Sequence, residues 1–292
     1  MRSPSWVKKP IPRGEEVRRI RGVVRRWKLH TVCESAACPN RHECYSQGKL
    51  TFMILGNICT RNCSFCLVEP GRPLPPDLDE PRRLCQAAKE LGLKYVVVTS
   101  VCRDDLPDGG SSAFAQTINI LRQDSSDTRV EVLVPDFLGS LPALKKVVTA
   151  RPSVLNHNVE TVPRLYPTVR AQAAYLRSLE LLRSTKALDR GLLTKSGLML
   201  GLGETEGEVI GVMEDLRRAG CDMVTLGQYL RPSLKHHEVV RYVTPGEFTQ
   251  YGIIARRMGF SGVASGPSVR SSFGASELFD DGMSCIREGQ TA

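Results

Sequence analysis

Short apolar runs alternate with longer amphipathic stretches along most of this chain. Six runs have the length and the aliphatic, β-branched content of strands. They are Thr51–Leu55 (TFMIL), Tyr95–Thr99 (YVVVT), Val130–Val134 (VEVLV), Val154–Asn158 (VLNHN), Gly197–Leu200 (GLML) and Met223–Leu226 (MVTL). Between and after them, residues 80–92, 111–123, 139–150, 171–187, 205–219 and 245–258 carry the spacing of helices. Ser111, Ser140 and the TEGE box from Thr205 stand where helix N-caps belong. Gly92 and Gly220 stand at C-terminal caps.

Strands that alternate with helices predict parallel pairing through right-handed crossovers. The strands read as continuous runs, which predicts burial on both faces. No Gly-x-Gly-x-x-Gly follows the first strand. The expectation is therefore an α/β fold of the partial (β/α)6, TIM-like barrel type, open at one side. Each strand runs directly into polar or glycine-rich text: GNICTRNCSFC, SVCRDDLPDGG, PDF, HNVE, GLGE and GQYL. Barrel enzymes build their sites at these C-terminal strand ends, so a catalytic cup is expected there.

Composition changes this picture little. The 292 residues are 41% hydrophobic and 24% charged, which excludes a disordered chain. No run of 18 apolar residues exists, and the basic start lacks the apolar core of a secretory signal, so a cytoplasmic location is expected. The net charge of +9 permits nucleic acid or an acidic protein as partner and does not choose between them. The cations of RRIRGVVRRWK (18–28) are equally consistent with a solvated helix face.

The ten cysteines change it a great deal. In a reducing compartment, dense thiols favour metal or redox chemistry over disulfides. Cys59, Cys63 and Cys66 form a C-x3-C-x2-C triplet just after the first strand. Structural zinc takes four ligands, so three thiolates are too few unless a fourth comes from elsewhere. A cubane 4Fe–4S cluster held by three cysteines keeps one iron open for a reacting ligand. Cys33, Cys38 and Cys44 form a C-x4-C-x5-C triplet in a polar stretch upstream, where soft ligands again select zinc or iron–sulfur.

CTRNCSFC resembles the motif of the radical S-adenosylmethionine (SAM) superfamily. With LHTVCESAACPNRHECY, VTSVCRDDLPDGG, VLVPDF, NHNVETVPRLYPTVR, KSGLMLGLGE, GQYLRPS and VASGPSVRSSFGASE, the chain resembles the lipoyl synthases over about residues 5–277. The resemblance implies two 4Fe–4S clusters and SAM as cofactors. One cluster would sit on Cys59, Cys63 and Cys66, with Phe65 near the adenine of SAM. An auxiliary cluster would sit on Cys33, Cys38, Cys44 and a serine of Arg270-Ser271-Ser272. The family pattern points to Ser272; the chemistry of the residues does not separate it from Ser271. A hard oxygen ligand suits a cluster that must come apart.

The implied reaction removes hydrogen from carbons 6 and 8 of an octanoyl chain on a carrier lysine and inserts sulfur from the auxiliary cluster, a task that needs radicals. The domain expectation is an N-terminal extension (1–48) with the auxiliary motif, a partial barrel (49–260) and a C-terminal extension (261–292) with the serine ligand. Asn156, Asn158, Glu160 and Arg170 are expected to hold SAM. Gly201–Glu204, Gln228, Arg103, Asp104 and Asp105 are further candidates, with structural hydrogen bonding an equal alternative. His157 reads as a packed strand residue, and Cys85 and Cys221 as buried apolar ones. Cys102 departs from the family, which has an acidic or amide residue before RDDL; an inert thiol is the expectation.

Expected partners are an octanoylated lipoyl domain (glycine-cleavage H protein or 2-oxoacid dehydrogenase acyltransferase) and an electron donor such as flavodoxin or ferredoxin. No nucleic acid or membrane partner and a monomeric state are expected. Two rival readings remain: a radical SAM enzyme whose auxiliary cluster only transfers electrons, and a zinc-stabilised basic protein that binds nucleic acid.

Overall fold

The computed structural model describes residues 4–7 and 14–291; residues 1–3, 8–13 and 292 of the expected extensions lie outside it. The chain forms two units. One comprises residues 9–62 and 66–155, and the other residues 1–8, 63–65 and 156–292.

In the N-terminal unit, α1 (Glu15–Arg26) buries Val17, Ile20, Val23 and Val24 along one stripe. Its cations lie on the opposite, exposed face, where Arg26 pairs with Glu90 at 2.8 Å. The basic run is thus a solvated helix face. β1 (His30–Thr31) leads into two short helices, α2 (Val32–Ser35) and α3 (Arg41–Ser46). β2 (Thr51–Ile54) follows, antiparallel to β1. The small parallel pair β3 (Ile58–Cys59) and β4 (Glu69–Pro70) closes the base of the second cysteine loop. Then come α4 (Glu80–Leu91), β5 (Tyr95–Ser100), α5 (Ser111–Asp124), β6 (Arg129–Leu133), α6 (Leu141–Thr149) and β7 (Val154–Asn156). These strands lie in the order β1-β2-β5-β6-β7. β2, β5 and β6 are parallel, with Thr51 opposite Val97 and Val97 opposite Glu131.

The C-terminal unit contains α7 (Tyr166–Val169), α8 (Tyr175–Leu188), β8 (Leu193–Leu200) and α9 (Glu206–Arg218), then β9 (Met223–Gln228), α10 (Pro245–Arg257), β10 (Gly262–Gly266) and α11 (Ala275–Thr291). β8, β9 and β10 are parallel neighbours. Val159, Leu182, Leu198, Val212, Leu226 and Phe248 are among the buried side chains of this core. Burial on both strand faces is evident in β5, where Val96, Val97 and Val98 are all at most 5% exposed. Each such side chain contributes about 1.5–3 kcal/mol.

The α/β architecture with its mostly parallel strands is the expected one, and the six expected strands are present. A seventh parallel strand, β10, was not legible, because GVASG is small and polar and has no apolar run. β8 starts four residues earlier than its apolar text. Thr194 there is buried because its hydroxyl donates to the Gly220 carbonyl (3.0 Å) and the Asp222 carboxylate (3.0 Å). The caps at Ser140 and Thr205 form as expected. Ser111 does not cap α5. Asp108 does, accepting from the Gly110 (3.0 Å) and Ser112 (2.9 Å) amides.

Candidate functional site

Cys59 ends β3, and its sulfur accepts two backbone N–H bonds, from Arg61 (3.4 Å) and from Cys102 (3.3 Å). Thr60 returns to the same segment, its amide and hydroxyl both donating to the Cys102 carbonyl (3.1 and 3.0 Å). The Cys102 side chain, against the opposing effect of burial and with help from the Arg61 amide, pulls the Cys59 thiol down to about 6. The same pairing, together with burial, holds the Cys102 thiol well above its ordinary value. Cys102 is therefore a direct neighbour of a candidate ligand. Its departure from the family text was the only signal.

Arg61, between Cys59 and Cys63, is a structural clamp that sequence reasoning missed. Its guanidinium grips Asp104 in a two-pronged pair (2.7 and 2.9 Å) and reaches Asp136 at 2.6 Å, with Arg61 and Asp136 both buried. Arg103, also buried, is held by Asp105 (2.8 Å for each prong). Asp104 thus ties its loop to the cysteine loop, while Arg103 and Asp105 brace the same loop from within.

The tip of the cysteine loop, Cys63–Phe65, belongs to the C-terminal unit. The Ser64 amide donates to the Val169 carbonyl (3.1 Å), the Ser64 hydroxyl to Thr168 (2.9 Å), and the His237 amide to the Ser64 carbonyl (2.8 Å). Phe65 packs on the apolar core there. Cys63 and Cys66 are half-buried, and all ten cysteines are free thiols.

The first triplet lies on helices rather than in the expected loop. Cys33 is in α2 and Cys44 in α3. Cys38 lies in the turn between, its amide bonded to the Cys33 carbonyl (3.1 Å), after Ala37 in left-handed backbone (φ 45°). Burial, then the charges of Cys38 and Cys44, push the Cys33 thiol up to about 12. Among the described residues, no three His, Cys, Asp or Glu side chains converge as a metal site.

In the C-terminal unit, the end of β7 carries a polar network. Asn158 donates to Glu160 (3.1 Å) and to the Ser271 hydroxyl (3.0 Å), and its buried Oδ1 has no partner among the described residues. Arg170 donates to the Asn158 carbonyl (2.9 Å) and the Tyr166 hydroxyl (3.5 Å). Glu160 is held in left-handed backbone (φ 66°) by a bridge to Leu198, an unfavourable conformation for a non-glycine residue that clusters at functional sites. Burial raises the Glu160 carboxyl above its ordinary value against the pull of Arg170 and Asn158. Asn156 is buried on the same strand, and His157 packs inward with its ring nitrogen 2.9 Å from the Ser178 hydroxyl.

The Arg270-Ser271-Ser272 segment lies against β9, since a Cβ on Gly227 would collide with the Val269 carbonyl. Ser271 is engaged by Asn158. The Ser272 hydroxyl has no partner among the described residues. Two weaker candidates serve the backbone instead: Glu204 takes the Gly201 and Leu202 amides (2.6 and 2.9 Å), and Gln228 takes the Val243 amide (2.8 Å). Cys85 and Cys221 are buried as expected.

The radical SAM superfamily matches residues 53–227, and the N-terminal domain of lipoyl synthase matches residues 1–38. A lipoyl synthase of Caldanaerobacter subterraneus subsp. tengcongensis is 57% identical over 98% of this chain and 99% of its own length. One from Rubrobacter xylanophilus is 54% identical over 95% of this chain and 87% of its own. The crystal structure of Streptococcus suis SuiB bound to S-adenosylmethionine shares the fold at TM-score 0.56 and 10% identity, covering 75% of this chain and 52% of that one. The text of both cysteine triplets thus stands in a chain collinear with these relatives from end to end, and the chain belongs to the lipoyl synthase family of radical SAM sulfur-inserting enzymes.

Proposed function

We propose that this enzyme replaces one C–H bond at carbon 6 and one at carbon 8 of an octanoyl chain, carried on a protein lysine, with C–S bonds. Membership of the radical SAM superfamily implies a 4Fe–4S cluster and SAM, and membership of the lipoyl synthase family implies a lipoyl-domain substrate. The second cluster, on Cys33, Cys38, Cys44 and Ser272, is the proposed sulfur source and is consumed as a substrate. The observation that carries this reading is the presence of both triplets, one at a strand end and one upstream of β2, in a chain matching the family over 98% of its length.

The residues present fit the cofactors. Cys59, Cys63 and Cys66 are free thiols in one loop, and the Cys59 sulfur already accepts two amide bonds of the kind that tune iron–sulfur potentials. The unpaired, buried Oδ1 of Asn158 is an acceptor awaiting a donor. When bound, the cluster and SAM would supply the radical chemistry that opens an unactivated C–H bond. Phe65 would offer an apolar face to the adenine. Asn156, Asn158 and Glu160 would accept from the ribose or amino groups of SAM. Arg170 would face its carboxylate, and the Asn158 and Tyr166 bonds fix its guanidinium beforehand.

A Ser272 hydroxyl without a partner among the described residues, beside a Ser271 engaged by Asn158, supports Ser272 as the oxygen ligand of the second cluster. A serine oxygen is harder than the three thiolates and is more readily surrendered by iron. We further propose a cytoplasmic monomer that takes its electron from flavodoxin or ferredoxin. The proposed carriers are the H protein or the acyltransferase lipoyl domain, captured by the basic face of the enzyme. Among the described residues no helix is long and apolar enough to cross a membrane.

Anaerobic turnover on an octanoyl-lysine peptide tests the reading. The product should gain two sulfur atoms while iron is lost from one cluster. SAM cleavage without sulfur gain would instead support an auxiliary cluster that only carries electrons, a reading the family assignment does not favour. Stoichiometric zinc with no iron would overturn both.

A further inference from the structure

Cys102 has no place in the proposed chemistry, yet it is the residue against which Cys59 is packed. The two segments are laced together. The Cys102 amide donates to the Cys59 sulfur (3.3 Å), and the Cys102 carbonyl accepts from both the amide (3.1 Å) and the hydroxyl (3.0 Å) of Thr60. Asp104 adds a bond from its amide to the Thr60 hydroxyl (3.1 Å), and Arg61 ties the same loop to Asp104 by two prongs. The Cys102 amide thus sits directly on the Cys59 sulfur within this frame. The backbone of one is thus fixed opposite the backbone of the other. A disulfide needs the sulfurs to close to about 2 Å between backbones whose Cα atoms stand about 4.4–6.8 Å apart. Both residues are half-buried rather than sealed, so a small oxidant has access.

We propose that Cys59 and Cys102 form a redox modification site: a reversible disulfide that closes when the cluster on Cys59 is absent. The co-reactant is a peroxide. One sulfur attacks a peroxide oxygen, which breaks the O–O bond and gives a sulfenic acid and water. The second sulfur then displaces the sulfenic oxygen as a second water, forming the S–S bond. Two electrons and two protons leave the thiols and end in the two waters. A dithiol reductant reverses the step by exchange. With Cys59 so bonded, only Cys63 and Cys66 of the triplet remain, too few to rebuild the cluster. In return Cys59 is kept from irreversible oxidation to the sulfinic acid. This inference rests on the assignment of Cys59 as a cluster ligand.

The sequence makes the test clean. Trypsin cuts after Lys49, Arg61, Lys94 and Arg103, so Cys59 and Cys102 fall in separate peptides, 50–61 and 95–103, each with one cysteine. The full chain, loaded with its clusters or stripped by a chelator under reductant, is exposed to limited hydrogen peroxide, alkylated and digested without reduction. The stripped chain should yield the two peptides linked, two hydrogens lighter than their sum, and the loaded chain should not. Cys102→Ser should lose the linkage and show Cys59 as sulfinic acid. Oxidised stripped protein should then take up about half its iron, roughly four atoms rather than eight, with full uptake restored by a dithiol. Cys59 linked to Cys63 or Cys66, or over-oxidised Cys59 in the wild-type chain, would overturn the proposal. A linked pair with unchanged iron uptake would uphold the disulfide and remove Cys59 from the ligand set.

Discussion

Replacing Arg61 with methionine should be the most damaging single change near the cysteine loop that touches no candidate ligand. The guanidinium is 2% exposed and meets two carboxylates, of which Asp136 is fully buried and Asp104 is 27% exposed. Burial works against the charge of Arg61, and the hydrogen bonds to Asp104 and then Asp136 outweigh it, so its pKa lies above the ordinary value. Taking the cation away leaves Asp104 able to turn to water. Asp136 is fully buried and cannot; it keeps the Leu138 amide at 3.1 Å but loses its cation. Stranding a buried charge in this way costs about 3–5 kcal/mol.

Asp136→Asn should be milder, at about 1–2 kcal/mol, because the amide oxygen still accepts from Leu138 while Arg61 retains Asp104. The double variant distinguishes a real pair from two independent losses. Once Asp136 is neutral, removing Arg61 strands no charge, so the double change should fall short of the sum by about 2 kcal/mol. Urea unfolding of the cluster-free chain, followed by circular dichroism, measures all three. Iron retained after gel filtration of the loaded protein reports whether Cys59 has slackened with its neighbour. Additive losses, or an Arg61→Met cost below about 1 kcal/mol, would refute the clamp, since even an exposed pair reaches that much.

Ser272→Ala should cut iron from about eight to about four atoms per chain by removing a ligand of one 4Fe–4S cluster. Ser271→Ala should keep both clusters and lose about 1 kcal/mol with the Asn158 bond. In Gly197→Ala the new Cβ would stand 2.7 Å from the Thr225 hydroxyl and 2.9 Å from Asn158 Oδ1. A displacement of this kind costs about 1–3 kcal/mol, so equilibrium dialysis should show SAM affinity falling by about tenfold or more. Glu208 and Glu247 close the capping boxes of α9 and α10. Arg164, then the Thr205 amide, hold Glu208 down to about 2 from an ordinary 4.5; the Thr244 amide, then Arg241, do the same for Glu247. Both pKa values are lowered on folding, so the stabilisation is present above about pH 4.5 and is lost as pH falls towards about 2. After discounting for solvent exposure, Glu208→Gln should remove about 1 kcal/mol of that acid dependence in thermal melts of the cluster-free chain.

The strands with apolar runs were legible because burial on both faces leaves a continuous trace. β10 left none. Its backbone pairs with β9, but its side chains are those of Gly262, Val263, Ala264, Ser265 and Gly266, and Ser265 is satisfied only through the distant Phe248 carbonyl (2.6 Å). The early half of β8 was hidden for a related reason, since Thr194, Lys195 and Ser196 are polar yet buried. In both places the deciding partners come from other elements and cannot be read locally. The site divides along the same line. Which cysteines to propose as ligands could be read from spacing and resemblance. That Arg61 is a buried clamp, or that Cys102 faces Cys59, could not, because each depends on β5 and β6 arriving beside the loop.

Ser271 shows how the two kinds of information combine. Spacing and chemistry left Ser271 and Ser272 equivalent, and resemblance favoured the second. The structure adds a physical reason for unequal roles. Asn158 is one of the residues expected to hold SAM, and its amide already donates to both Glu160 and Ser271. Ser271 is therefore tied to the residues proposed to hold SAM, while its neighbour, in the turn of residues 271–274, has an oxygen with no partner among the described residues. One serine anchors the segment, and the next is the proposed ligand. On that proposal, an oxygen surrendered in each turnover sits beside an anchor that is not, so loss of the ligand does not release the chain that carries it.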